Sequence, residues 1–239
     1  MERTGEKKAA AAMPLLVQLE GRRCLVVGGG RVAERKIAAL LPTGARVTVV
    51  SPAISERIAG WLAAGELAGA ALRGYEPSDG EDAFLVVAAT DRPDVNARVC
   101  EDARARGQLV NAAERPELGN VTWPAVLRRG RLTVAVSTAG ASPAAAVAIR
   151  DRIDALLGAE AERLLEFLEA FRREALERVA DAERRGALLR ELLSGDVFAR
   201  QQTETGDGEG DSAVSGFEAY VAQMRRRLEL AAAERPEQE

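Results

Sequence analysis

The sequence contains no histidine at all. Histidine metal sites, histidine general bases and Ser-His-Asp triads are therefore excluded at the outset. Cysteine is nearly as scarce. Cys24 and Cys100 stand alone, far apart and without a CxxC pairing, which argues against a disulfide framework or a zinc knuckle. Cys24 lies in an apolar run and reads as a small buried hydrophobe. Aromatic residues make up only 4% of a chain that is 47% hydrophobic, so Ala, Val and Leu must build the core. The formal net charge of −4 speaks against general nucleic-acid binding, and no nucleic-acid partner is expected. No convincing membrane span is present either. The uncharged run 132–149 has membrane-like length, but Ser137, Thr138, Gly140, Ser142 and Pro143 interrupt it, so it reads as strand, loop and helix. The opening residues vaguely imitate a secretory signal, yet Pro14 and Gln18 break the apolar stretch, which runs straight into a strand. A cytoplasmic protein is expected.

What is present is an alternation of short apolar runs and helical stretches from Arg23 onward. CLVVG, ARVTVV, FLVVAAT and QLVN read as strands. The spans 32–41, 54–64 and 95–106 read as helices. Near-continuous apolar strands separated by helices mean a parallel sheet covered on both faces. A further strand, 131–136, leads through STAGASP into a helix ending near Leu157, with Ser142 as N-cap and Pro143 at the first helical position. Helices then dominate 160–200, where Leu164, Leu168, Phe171 and Val179 share one face. The polar, glycine-rich stretch QQTETGDGEGDSAVSG reads as a linker. After it, Phe217, Tyr220, Val221, Met224 and Leu228 recur at helical spacing, as in a helix that docks on its own chain.

The most informative motif is Gly28-Gly29-Gly30-Arg31-Val32-Ala33, a GxGxxA sequence that follows a predicted strand and opens a predicted helix. In that context it is a dinucleotide fingerprint. Gly28 permits the tight turn, Gly30 lets the backbone approach a pyrophosphate, and Ala33 lets the helix pack closely on the strand. The N–H groups at the helix start, around Arg31 and Val32, attract the phosphates. The second strand should end in Asp or Glu to hold the adenosine ribose, but it ends in Ser51-Pro52-Ala53. Ser51 can hydrogen-bond a hydroxyl but is neutral, and Arg31 favours an added phosphate, so these residues alone do not separate NAD from NADP. Small residues at the end of the fourth strand, Ala89 and Thr90 among them, leave room for the cofactor.

Three blocks carry a resemblance. PLLVQLEGRRCLVVGGGRVAERKIAALLPTGARVTVVSP, VVAATDRPDVNARV and LVNAAERPELGNVTWPAVLRRGRLTVAVSTAGASPAAAVAIRDRI are similar, in order, to the N-terminal module of siroheme synthase, the precorrin-2 dehydrogenase and sirohydrochlorin ferrochelatase family. They cover about 13–157. The resemblance implies an α/β fold: a Rossmann-type parallel sheet with a dimerisation segment and a C-terminal helical domain. The expected division is a disordered tail 1–12 (with Met13 as an alternative start), a Rossmann domain 13–123, a dimerisation segment 124–158, a helical domain 159–200, a linker 201–216 and a last helix and tail 217–239. It also implies NAD-dependent oxidation of precorrin-2 to sirohydrochlorin by a homodimer, with ferrous iron as a further substrate in some members. The methyltransferase of fused siroheme synthases would need a further domain, so the resemblance points to a stand-alone form. The family usually has aspartate in a VNxxD pattern, where this chain has Val110-Asn111-Ala112-Ala113-Glu114. Glu114 keeps the carboxylate but moves it by one methylene, and it is the candidate proton acceptor or orienting group. Asn111 is a candidate for orienting the loop. The polycarboxylate substrate calls for cations and N–H donors. Arg128, Arg129, Arg131 and Arg150 are candidates, since arginine suits planar carboxylates. Ser137, Thr138 and Ser142 in the STAGASP loop could add hydroxyl contacts at a helix N-terminus. No metal-ligand set is expected. A non-enzymatic NAD-sensing module is the competing reading; absorbance of protein mixed with NAD and precorrin-2 discriminates the two.

Overall fold

The computed structural model describes residues 12–157, 160–192 and 216–233. The expected tail up to residue 11 and the linker over 201–215 lie outside the described residues. The chain divides into two compact units: 1–123 with 139–141, and 124–138 with 142–239.

The first unit is a five-stranded parallel sheet in the order β3-β2-β1-β4-β5. Its strands are β1 (Arg23–Val27), β2 (Arg46–Val50), β3 (Gly69–Ala71), β4 (Leu85–Ala88) and β5 (Leu109–Ala112). β1 sits between β2 and β4, with Val26 opposite both Val49 and Val87. Chain order therefore reverses between β1 and β4, and a sheet of this kind binds ligands in the crevice outside the strand ends at that point.

Side chains alternate across each strand, which gives the sheet two apolar faces. On one face Cys24, Val26, Val47, Val49 and Val87 pack with Ala33, Ile37 and Leu40 of α1 (Arg31–Leu40) and Ile58 of α2 (Glu56–Ala63). On the other, Leu25, Val27, Val86 and Val110 meet Val99, Cys100 and Ala103 of α3 (Pro93–Ala105). Ile37 is fully buried; its side chain alone contributes about 1.5–3 kcal/mol in apolar burial. Both cysteines are buried, and burial pushes the Cys24 thiol up to about 11. The reading of Cys24 as a small buried core residue agrees with this environment.

The outer edge of β5 does not stay open. Asn120 and Val121 both donate their N–H to the Val110 carbonyl, and the Asn120 side chain accepts from the Val110 N–H at 2.7 Å and donates to the Gln108 carbonyl. Chain segment 119–121 thus blunts an edge that would otherwise pair with other chains.

In the second unit an antiparallel hairpin, β6 (Ala125–Arg129) and β7 (Leu132–Val136), packs on α4 (Pro143–Leu157). Three further helices, α5 (Glu160–Arg178), α6 (Ala182–Glu191) and α7 (Gly216–Ala233), share a core of Leu164, Phe171, Ala175, Val179, Leu188, Leu192, Tyr220, Met224 and Leu228. Of the apolar positions read from helical spacing, Leu164, Phe171, Val179, Tyr220, Met224 and Leu228 are buried here, and Leu168 and Val221 pack against them partly buried. Tyr220 closes the cluster by donating its hydroxyl to the Leu192 carbonyl.

Two strands escape the sequence reading. β3 is Gly-Ala-Ala and carries no β-branched residue; it forms because β2 offers an edge. β6 looks like a basic segment because Arg128 and Arg129 close it. The tight turn at Gly130, with φ +51°, folds it back on β7.

Candidate functional site

The loop after β1 shows why three successive glycines stand there. Gly28 has φ +129°, and a Cβ on it would lie 2.3 Å from the Ala89 carbonyl oxygen at the end of β4. A Cβ on Gly29 would lie 1.9 Å from the Ala53 carbonyl oxygen and 2.8 Å from Ser51 Oγ. Both glycines are thus required by backbone packed against backbone. Gly30 is different. It caps α1 with no side-chain hydrogen bond, its φ of −95° suits any residue, and nothing lies within 4 Å of where its Cβ would be. The space beside Gly30 is open, and the first N–H groups of α1 have no intrahelical acceptor. That combination fits the pyrophosphate of a dinucleotide.

Ala33 is fully buried under the helix, as its place in the motif requires. The role of Gly29, silent in the sequence reading, is to seat the 51–55 loop: the Ser55 N–H donates to the Gly29 carbonyl at 2.9 Å. Ser51 is buried, and its hydroxyl donates to the Ala53 carbonyl at 2.6 Å. Its proton is therefore engaged within its own loop, leaving only acceptor capacity toward a ribose. Pro52 and Ala53 are exposed on that loop.

Across the crevice, the Ala89 N–H donates to the Val27 carbonyl at 2.8 Å. Thr90 is held by a residue that sequence reasoning missed. Asn96 is 6% exposed. Its Oδ1 accepts from the Thr90 N–H at 3.0 Å and from the Thr90 hydroxyl at 2.8 Å, while its Nδ2 donates to the Thr90 carbonyl at 2.9 Å. An asparagine one turn into α3 carries no distinctive sequence signal, although it reads as a lone polar residue on an apolar helix face.

Asn111 is buried at the end of β5, and its Nδ2 donates to the Val121 carbonyl at 2.8 Å. The loop-orienting role thus has a physical counterpart. Its Oδ1 is buried without a hydrogen-bond partner, an acceptor whose burial is costly until a donor arrives. Glu114 lies exposed in the turn after β5. Two residues on from Val121, Trp123 packs against the core, and the Lys36 ammonium sits 4.5 Å from its ring centroid. Desolvation, with a lesser push from the Arg35 charge, lowers Lys36 from 10.5 to about 8. Neither Lys36 nor Trp123 was singled out from sequence, and a cation–π pair of distant residues leaves no motif to find.

The arginines of the second unit differ in availability. Arg129 Nε bonds Asp154 at 2.7 Å, Arg131 pairs with Glu169 at 2.9 Å, and Arg150 pairs with Asp151 at 2.5 Å. Arg128 is exposed and has no such partner among the described residues. In the STAGASP loop, the Thr138 hydroxyl donates to the Ser142 carbonyl and accepts from the Ser142 N–H. Ser142 Oγ accepts from the Ala145 N–H at 3.1 Å, as an N-cap does. These two hydroxyls shape their own loop, and Ala139, between them, has a left-handed φ of 51°. Ser137 is exposed at the loop start. Among the described residues no three His, Cys, Asp or Glu side chains gather as a metal site, and no helix is long and apolar enough to cross a membrane.

Comparison with known proteins agrees with this geometry. A family model described as "Putative NAD(P)-binding" matches residues 15–125, and one described as "Sirohaem biosynthesis protein central" matches 129–156. The siroheme synthase of Methylobacillus flagellatus is 38% identical over 210 residues, covering 82% of this chain and 45% of that protein. That of Thioalkalivibrio sulfidiphilus is 40% identical over 184 residues, covering 77% of this chain and 37% of that protein. A solved structure titled "SirC, precorrin-2 dehydrogenase" superposes with a TM-score of 0.73 at 29% identity, over 90% of this chain and all of that one. The chain belongs to the siroheme synthase N-terminal family. It spans less than half the length of the siroheme synthases it matches. Within that family, the first unit is the nicotinamide-dinucleotide-binding part and the β6–β7–α4 region falls in the central segment.

Proposed function

We propose that this chain oxidises precorrin-2 to sirohydrochlorin with NAD as the hydride acceptor, as a cytoplasmic step of siroheme biosynthesis. The observation that carries the reading is the open, uncapped α1 start at Gly30, on the crevice between β1 and β4, in a member of this family. The cofactor supplies the redox chemistry: it takes a hydride from a substrate carbon, and a proton leaves the substrate as well. The chain's own work is to hold both partners and receive that proton. Gly28 and Gly30 with the backbone at Arg31 and Val32 bind the pyrophosphate. The loop of Ser51, Pro52 and Ala53 borders the adenosine ribose. Ala89 and Thr90, fixed by Asn96, leave room on the far side.

Glu114 is the proposed proton acceptor or orienting carboxylate, and Asn111 holds its neighbouring loop. Arg128 is the best available cation for the substrate's carboxylates. Arg129 and Arg150 would have to exchange an existing ion pair to help. Ser137, Thr138 and Ser142 would act mainly by shaping the loop ahead of α4. Ferrous iron is a second substrate to be assayed, since family members insert it.

The working form is proposed to be a homodimer through 124–158. Ile149 and Leu156, seven residues apart on one face of α4, are 45% and 70% exposed, large apolar side chains that a second copy would cover. The deciding experiment mixes purified protein, NAD and precorrin-2 and follows NADH and sirohydrochlorin by absorbance. Product formation dependent on both protein and NAD is expected; NAD binding without turnover would instead support a sensor. Light scattering at micromolar concentration should give twice the chain mass, and a monomer mass would sink the dimer.

A further inference from the structure

The chain carries 33 basic side chains, and only Lys7, Lys8 and Lys36 among them are lysines. Lys36 is therefore the single lysine after the first eight residues. The two kinds of cation differ in one chemical respect. A guanidinium keeps its proton throughout the physiological range, whereas a desolvated ammonium can release one and become a nucleophile. Lys36 occupies a position where that difference matters. It lies within α1, half-buried, with its ammonium 4.5 Å from the ring centroid of Trp123. Among the described residues it makes no ion pair and no hydrogen bond. Elsewhere in the first unit, Arg73, Arg92 and Arg115 each hold a carboxylate at 2.7–2.9 Å.

The surroundings favour the neutral amine. Asn120, Val121 and Thr122, which lead to Trp123, carry no charge, and the core cluster that Trp123 joins is apolar. The charge that acts on Lys36 is that of Arg35, of the same sign. Desolvation first, and this repulsion second, bring the amine down from 10.5 to about 8. The ring's attraction for the ammonium opposes the lowering but is the smaller effect. Near pH 8 a large share of Lys36 is therefore free amine, against roughly 1 in 250 of an ordinary lysine.

We propose that Lys36 is a site of acylation by small acyl phosphates, a modification that replaces the cation over Trp123 by a neutral amide. The amine attacks the acyl carbon. A C–N bond forms as the C–O bond to phosphate breaks, phosphate leaves with the electron pair, and the nitrogen gives its extra proton to water. The reagent and its leaving group are anions, and Arg35, beside Lys36 and without a carboxylate partner among the described residues, attracts both. An acyl phosphate is thereby favoured over an uncharged acyl donor. Acylation removes the charge and the cation–π contact together. The inference is independent of which ligand the glycine turn holds.

The test incubates the full chain with acetyl phosphate from about pH 6.5 to 10.5 and follows each lysine by peptide mass spectrometry. At about pH 8, Lys36 should be acylated about tenfold or more faster than Lys7 and Lys8, which serve as internal references. Its rate should level off by about pH 9, whereas the rate of an ordinary lysine climbs on towards about 10.5. The preference should vanish in urea, because the fold creates it. Tryptophan fluorescence should change as Lys36 reacts, since Trp123 loses its cation. Lys36→Arg keeps the charge and cannot be acylated in this way, so it should abolish that change. Lys36 reacting no faster than Lys7 and Lys8 at about pH 8, or with the same preference in urea as in the native chain, overturns the inference. So does a fluorescence change that persists in Lys36→Arg.

Discussion

Replacing each of the three glycines by alanine separates what the turn needs from what its ligand needs. At Gly28 the added methyl meets the Ala89 carbonyl oxygen at 2.3 Å and carbon at 2.6 Å, at a φ of +129° that side chains rarely adopt. The backbone conformation costs about 1–3 kcal/mol, and the clash adds about 1–3 kcal/mol. Gly29→Ala has no conformational penalty, but the Ala53 carbonyl at 1.9 Å must move, and that loop is bonded to the turn through Ser55. About 2–3 kcal/mol is expected. Gly30→Ala meets nothing within 4 Å. Alanine is a poorer N-cap than glycine, but it also restricts the unfolded chain, and the two effects nearly cancel to within about 1 kcal/mol. Its methyl would stand in the dinucleotide cradle, where a displaced phosphate costs about 1–3 kcal/mol of binding, or about 5- to 150-fold in Kd. Thermal denaturation and calorimetric titration of the three variants give the two readouts. Gly28→Ala should show the largest drop in melting temperature, roughly 10–20 °C at about 4 °C per kcal/mol. Gly30→Ala should keep the fold and lose the ligand. If Gly30→Ala binds dinucleotide like the parent, the open space beside α1 is not the phosphate site. If Gly29→Ala melts like the parent, the loop contact inferred at Ala53 is wrong.

Three further variants probe the neighbourhood. Lys36 is lowered from 10.5 to about 8 by desolvation, so between those pH values the unfolded chain binds more protons than the folded one. Lys36→Met should therefore stabilise the protein by about 1–3 kcal/mol below pH 8, with the gain fading by pH 10.5; a gain that does not vary in urea melts across that range would refute the desolvated cation. Asn96→Ala removes both halves of the clamp on Thr90. It should cost about 1–3 kcal/mol and weaken dinucleotide binding, whereas unchanged stability would mean that water replaces the amide. Glu114→Gln should lower turnover by about 10²-fold or more if the carboxylate takes the proton, with dinucleotide affinity kept; wild-type rates in both dehydrogenation and iron insertion would remove Glu114 from the mechanism.

The sheet was legible because its strands are short apolar runs punctuated by glycine, and the GxGxxA motif had a strand before it and a helix after it. Those are local signals, and they survive without knowledge of the third dimension. β3 was not legible, because a Gly-Ala-Ala segment becomes a strand only where β2 presents its edge. The same limit governs the site. Gly28 and Gly30 were visible through the dinucleotide fingerprint, and Asn111 through the block that carries the family resemblance. It said nothing of Asn96, which acts six residues from its partner, or of Lys36 and Trp123, which meet from opposite ends of the first unit. It also took four arginines as equal candidates from their place after the Rossmann core, whereas availability depends on whether a carboxylate already holds them. Arg129, Arg131 and Arg150 are held, and Arg128 is not. By that criterion the arginines with most unspent charge in the first unit include Arg31, Arg35 and Arg57, gathered from two helices around one cavity. Only Arg31 was visible as a neighbour of the fingerprint.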